Sequence, residues 1–531
     1  MAVNRGWLYH LGAILALVAF VGYKWQFLSL PLYWDEAWVY GPGVRAMHAN
    51  GLSILPNTIG TELSRGHPLL FHLMAALWAS CFGASNPSLH AFSLLLATIL
   101  LFLTYWIGSK LGSRQIGLAA MLMVGLNEIF LAQSALLLPE IALGVALLLA
   151  AWAYVQKHVA GYIAAATCAL FIKESALVLI LALICWHSIS TTSRKSAANS
   201  KPWWPWLGII LSPLLPATLF LLYQRISYGW FLYPLHMGLI SWEIKDIHYF
   251  FKFGYRELFE QQGMEWATLA FGLIAPMAWK GWRKWYFGIM VAFLYVAAIK
   301  VLDGKWTLSP LPTLIVTLAC FGAILFLQFR PLHKQEGARG ELPAIGLVLV
   351  LGFLIFSALN FFSDRYLTGM IPFVAIGMSA VLYSALAPWH KALFPAMVLL
   401  IAGNLTRHIG TDGRVGDTTL SYADDIHAHL RVIHACEALH LQDTPIYGSF
   451  MDITYMTDLS AGYLSAGRAF QHVTDSLSPN TQYAIVSQAS PKDFPGKLLS
   501  LGFTKTAYFR SGPAWCALFQ RSTRPGDFTS K

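Results

Sequence analysis

The chain has 531 residues, 56% hydrophobic and only 12% charged, with mean hydropathy +0.55, which excludes an ordinary soluble enzyme of this length. Its formal charge of +10 is spread over short loops between apolar runs, so it argues against a nucleic-acid partner and for topology signals facing anionic lipid. With 20 Trp, 22 Tyr and 33 Phe to serve as interfacial anchors, the composition calls for an α-helical polytopic membrane protein.

The first apolar run, 7–28, has no convincing small-x-small cleavage site before residue 35, so it reads as an uncleaved first span. The segment 32–87 is too mixed to cross a bilayer and too apolar for a free linker; it reads as a re-entrant or juxtamembrane loop with one surface helix after Trp34 and one over 69–78. Further crossings are expected near 88–107, 116–136, 141–155, 161–172, 176–187, 206–223, 266–279, 285–298, 310–328, 342–361, 369–387 and 393–405. That makes about 13 transmembrane helices, judged against the roughly 20 apolar residues of a straight span. Several are short, notably the pair interrupted at Lys173-Glu174-Ser175, and such ends are tolerated only inside protein or a wet cavity.

With a cytoplasmic N-terminus, alternate loops collect Lys110, Arg114, Lys157, Arg194, Lys280, Arg330 and Lys391, a positive-inside pattern. The opposite face then holds Asp35, Glu36, His67, Glu140, Lys173, Glu174, Arg365 and a long loop, 225–265, in which 242–248 reads as an amphipathic surface helix. Residues 1–405 form the membrane domain. From 409 to 531 the chain is less apolar: 422–439 and 492–501 read as helices, and 445–449, 482–487, 503–510 and 515–520 as strands, giving a small extracytoplasmic α/β domain. It shows no nucleotide-binding glycine fingerprint and no nucleophile elbow. The six cysteines lack metal-ligand spacing. Cys81, Cys168, Cys185 and Cys320 read as small buried hydrophobes, and Cys436 and Cys516 could pair in an oxidising compartment.

Carboxylates on the loaded face can accept a proton from an acceptor hydroxyl or amine; Lys and Arg can hold a phosphate, one as a point charge and the other as a fork. Each residue also has a plainer role open to it. Asp35 and Glu36 could be an interfacial pair wetted by headgroups. Lys173 and Glu174 could be a salt bridge across a helix break, Arg365 a snorkelling side chain, Glu140 a helix N-terminal charge and His67 a loop histidine.

The ordered set Trp34-Asp35-Glu36-Ala37, Gly66-His67-Pro68-Leu69-Leu70-Phe71, Pro139-Glu140, Lys173-Glu174-Ser175 and Arg365-Tyr366-Leu367 resembles the protein O-mannosyltransferase superfamily (glycosyltransferase family 39-like), including bacterial lipid A aminoarabinose transferases. The resemblance covers 1–405. It implies a GT-C fold, a polyprenyl (undecaprenyl) phosphate sugar donor, inversion at the anomeric carbon and an active site on the non-cytoplasmic face of a bacterial inner membrane. On that resemblance Asp35 is the acceptor-side carboxylate, Glu36 supports it and Glu140 is a second acid. Lys173, Arg365 and His67 face the donor phosphate, with Arg65 a substitute because His67 departs from the Lys usual before the Pro-rich run. The acceptor would be lipid A, a polysaccharide, a lipid or a protein. No metal ligand set stands out, and a divalent cation stays open. The alternative from another class is a transporter or flippase of an amphipathic anion that uses the same charges beside broken helices.

Overall fold

The computed structural model describes residues 6–194, 204–261, 263–274, 338–360, 363–386, 392–411, 413–465 and 467–522. The spans expected at 285–298 and 310–328, the end of 266–279, and Cys320 lie outside these residues.

Among the described residues, four segments are long and apolar enough to cross a membrane: Gly6–Phe27, Asn86–Lys110, Gly340–Leu359 and Asp364–Ala385. A fifth crossing is possible if the bent pair Trp204–Leu211 and Leu214–Tyr228 acts as one. The chain is thus a multi-pass membrane protein, although the expected thirteen crossings are not all seen. Burial separates the roles of these helices. The first span has 11% of its apolar window covered by protein and is peripheral, whereas Asp364–Ala385 has 89% covered and is central.

Two expected spans are broken, each for a visible reason. The run 116–136 divides into Arg114–Gly125 and Glu128–Gln133, because the Asn127 side chain accepts the Phe130 N–H and caps a new helix. The run 206–223 bends by 40° between Leu211 and Leu214, where Pro213 cannot donate to the helix ladder. Cys81, Cys168 and Cys185 are exposed rather than buried; on apolar helices a small thiol can face lipid as readily as core.

The central crossing depends on two glycines. A Cβ on Gly144, in the helix Glu140–Val155, would lie 3.1 Å from the Cα of Gly369, in the 3-10 segment Asp364–Met370. Small residues let the backbones touch, and each glycine stands four residues after a charged site residue, Glu140 and Arg365. Gly144→Val is therefore expected to cost about 1–3 kcal/mol by overpacking, read as a lower thermal midpoint in detergent. An unchanged midpoint would show that this contact is not close.

The tail forms a five-stranded sheet of β1 (Ile446–Tyr447), β2 (Val473–Thr474), β3 (Tyr483–Ser487), β4 (Phe503–Ser511) and β5 (Ala514–Arg521), in the order β2-β1-β3-β5-β4. The first three strands pair in parallel and the rest antiparallel. Helix Tyr422–Ala438 packs on β4 and β5, and Phe494 and Leu498 of a second helix join Val486 and Phe519 in a small separate core. The helix Phe450–Thr457 and strand β2 were not anticipated, both being short. Cys436 and Cys516 are buried free thiols rather than a disulfide.

Candidate active site

Asp35 follows Trp34, whose φ of +46° is left-handed, a costly conformation for a bulky residue that leads into a π-helical turn, Glu36–Tyr40. The turn directs the two carboxylates to different places. Asp35 accepts a hydrogen bond from the Trp38 indole at 2.9 Å and pairs with the Arg365 guanidinium. Glu36 is fully buried instead: it accepts N–H donors from Tyr33 (3.0 Å) and Leu137 and lies 3.1 Å from His90 Nε2. Its contacts anchor the loop, so the pair expected to work side by side is divided.

Arg365 is the hub. Besides Asp35 it contacts Asp417 Oδ2 at 2.8 Å, and its Nε lies 3.6 Å from Glu140 Oε1. Lys173 Nζ is 2.9 Å from the same Glu140 oxygen and 4.0 Å over the Tyr366 ring. Lys173 and Glu174 do not bridge to each other: Glu174 pairs with His67 at 2.9 Å. Three carboxylates, Asp35, Glu140 and Asp417, thus surround two cations, Arg365 and Lys173. Arg365 Nε and Glu140 Oε2 are buried and make no hydrogen bond among the described residues, so the cluster keeps unspent donor and acceptor capacity. A cavity of about 100 Å³, lined by Glu140, Lys173, Tyr366 and His67, opens beside it.

The electrostatics divide the two half-buried acids beside Arg365. Burial raises the Asp35 carboxyl, but Arg365 beside it outweighs this and holds it below its ordinary value, so it is ionised at neutral pH. Asp417 is raised despite its bond to Arg365, because burial, reinforced by Asp35 and Glu140, outweighs the guanidinium. Asp417 was missed in the sequence, where Gly413-Arg414-Val415-Gly416-Asp417-Thr418 looks like an ordinary polar linker. It arrives because Glu128 Oε1 accepts the N–H groups of Gly410 (3.1 Å) and Leu420 (3.3 Å), and Gln133 donates to the Asp417 carbonyl (2.6 Å).

Arg65 occupies a left-handed turn (φ +51°) before Gly66, where a Cβ would meet Tyr233 at 2.7 Å. Its guanidinium stacks 4.8 Å from Trp38 and 5.5 Å from Tyr233, with no carboxylate partner among the described residues. Of the expected phosphate-binding residues it is the one whose charge is not already matched.

His67, Glu174 and His236 each place one ligand atom within 4.8 Å of the others, a possible metal-binding group. Two imidazoles and a carboxylate suit a zinc-like ion better than magnesium. Burial, aided by His67, lowers His236 to about 4, leaving the neutral imidazole that ligation requires. Zinc binding to metal-stripped protein, followed by metal analysis, is expected to weaken at least tenfold in His236→Ala; equal binding would place any ion elsewhere.

No protein-family model matches the chain, nor does any curated protein. Among solved structures it is similar to ArnT from Cupriavidus metallidurans in the apo state, at 11% identity over 96% of this chain and 98% of that one, with a TM-score of 0.40. It is also similar to an Archaeoglobus fulgidus oligosaccharyltransferase in complex with Zn and sulfate, at 10% identity over 90% and 68% of the two chains, TM-score 0.45. A third likeness is to the arabinofuranosyltransferase AftD from Mycobacteria, at 14% identity over 99% and 40%, TM-score 0.42.

Proposed function

We propose that this chain is an inverting glycosyltransferase of GT-C type that moves a hexosyl or pentosyl unit from polyprenyl phosphate to an envelope acceptor, with site and tail on the periplasmic face of a bacterial inner membrane. The observation that carries the reading is the convergence of Asp35, Glu140, Lys173 and Arg365 beside a cavity, at the shared end of three apolar helices.

Asp35 takes the acceptor proton as the acceptor oxygen or nitrogen bonds the anomeric carbon. The bond from that carbon to the phosphate oxygen breaks with its electron pair, and polyprenyl phosphate leaves as an anion. Lys173, Arg65 and Arg365 stabilise that developing charge. As the phosphate draws on Arg365, the guanidinium relaxes its hold on Asp35 and the carboxylate becomes a stronger base. The acceptor approaches from the Asp417 side, where a 310 Å³ groove lies between Tyr249, Phe250 and Phe253 and the strap of Arg414 and Thr418.

The test is lipid mass spectrometry on reconstituted protein given a panel of polyprenyl-phosphate sugars and an envelope extract. Release of unglycosylated carrier with one donor supports the transferase. Movement of intact donor across the bilayer, with no release, would replace it with a transporter. Because the Asp35 carboxyl is held low, it stays charged at lower pH than a free aspartate. The acid limb of kcat/KM, which reports the donor-free protein, is therefore expected below the ordinary value of 3.8, and a limb well above it would assign that ionisation to another group.

A further inference from the structure

The left-handed backbone at Trp34 survives only if its surroundings over-determine it. What surrounds it is the tail. Leu32 N–H donates to the Ala461 carbonyl (2.9 Å), Trp34 N–H donates to the Tyr455 hydroxyl (3.3 Å), and the Tyr33 hydroxyl donates to Asp425 Oδ2 (2.9 Å). Three successive residues before Asp35 are thus tied to residues nearly four hundred positions or more later in the chain. Asp425 is itself fixed, receiving Gln488 Nε2 at 2.5 Å and lying 3.1 Å from His429 Nδ1. The other ring nitrogen of His429 lies 3.3 Å from Asp452 Oδ1, while both the hydroxyl and the N–H of Ser449 donate to Asp452 Oδ2 at 2.7 Å. Asp452 stands in the helix Phe450–Thr457, whose Phe450 packs edge-on against Trp38 at 4.9 Å. Trp38 in turn donates to Asp35, and the circuit closes on the residue it began beside.

We infer that the tail domain positions the reactive carboxylate: the buried circuit Tyr33, Asp425, His429 and Asp452, together with the Tyr455 hydroxyl, holds the Trp34 turn so that Asp35 meets Arg365. None of these residues lines the cavity beside Glu140 and Lys173, so they act through Asp35 as positioning residues. Tyr33, Asp425, His429, Asp452 and Tyr455 are all buried, and His429, held at the Asp425 carbonyl (2.9 Å), sits between the two carboxylates, so the polar contacts of the circuit support one another. The inference rests on reading Asp35 as the acceptor-side carboxylate.

Two measurements on the full-length protein test it. Hydrogen exchange reads the geometry without any substrate. In Tyr33→Phe, which removes one oxygen, amides of residues 34–38 are expected to exchange at least tenfold faster while those of helix 422–438 keep their rate. Kinetics with the active donor read the consequence: kcat per folded molecule falls roughly 10- to 100-fold in Tyr33→Phe and in Asp425→Asn, donor KM stays within about twofold, and the double variant is no worse than the single ones. Peptide-resolved alkylation of the buried thiols Cys436 and Cys516 shows that each variant keeps its tail folded. Unchanged exchange in Tyr33→Phe would overturn the positioning role, as would an unchanged kcat in both variants with the thiols protected. If the wild type releases no carrier from any donor, the transferase reading fails, and the exchange result still decides whether the tail fixes the turn.

Discussion

Asp35→Asn is expected to lower transfer by roughly 10²- to 10⁴-fold, the contribution of a positioned general base, with the protein folded and its donor affinity close to wild type. The amide keeps the shape of the side chain and can still accept the Trp38 indole N–H, while Arg365 retains Asp417 and Glu140 as counter-charges. The cluster loses one negative charge from three, which relieves crowding rather than leaving a cation unpaired. This substitution therefore separates chemistry from stability better than any other in the site. Single-turnover transfer measures it, and a wild-type rate in Asp35→Asn would remove the base assignment and shift attention to Asp417, the other carboxylate on the acceptor side. Asp417→Asn is the natural partner experiment. With its carboxyl raised, Asp417 is the poorer counter-ion at acidic pH: its folded value lies above the unfolded one, so protonation at low pH favours the fold and ionisation on raising pH works against it.

Much of this architecture is visible in the amino-acid order because helices in a bilayer must satisfy their own backbone and show it as apolar runs. The expected span at 88–107 is the helix Asn86–Lys110, and the runs 141–155 and 161–172 are helices, Glu140–Val155 and Val159–Ile172, each shorter than a full crossing. The amphipathic stretch in the long loop is a helix, Ile244–Phe259, with Phe251, Tyr255 and Leu258 buried on one face. Four strands and two helices of the tail were legible by alternation and punctuation. Hidden from the sequence were the features made by distant contact. The break before Asn127 is announced only by Gly125 and the Asn127 cap, and nothing local shows that a strap of residues 410–420 returns to Glu128 there. Asp35 and Glu36 are neighbours in sequence with equal claims to chemistry, and only the π-helical turn sends one to Arg365 and the other to His90. Asp417 and the Asp425–His429–Asp452 set lie in stretches whose composition resembles any solvated loop or helix, His236 lies in an apolar aromatic stretch, and the meaning of each comes from what it meets.

Arg365→Ala is expected to have the largest effect on the molecule as a whole, because this one side chain compensates Asp35, Asp417 and part of Glu140. Removing one partner of a buried ion pair costs about 3–5 kcal/mol, since the remaining charges lose their counter-ion while still desolvated. Lys173 pairs directly with Glu140, 2.9 Å away, and reaches Asp35 only through space. A lower thermal midpoint is expected, together with loss of transfer, but alone that result cannot say whether Arg365 holds the strap or the donor phosphate. The double substitution Arg365→Ala with Asp417→Asn separates the two. Neutralising Asp417 removes one uncompensated acid and should recover a good part of the stability, because the Gln133 and Glu128 bonds to the strap backbone remain. If Arg365 acts on the leaving phosphate, the recovered protein still transfers at least a hundredfold more slowly than wild type, the scale of losing one charged donor to a developing anion. Arg365→Lys should fall between, keeping a charge but losing the fork that reaches Asp35 and Asp417 together. Near-normal transfer in the stabilised double variant would show that Arg365 serves only to fasten the tail, leaving Lys173 and the uncommitted guanidinium of Arg65 to receive the phosphate.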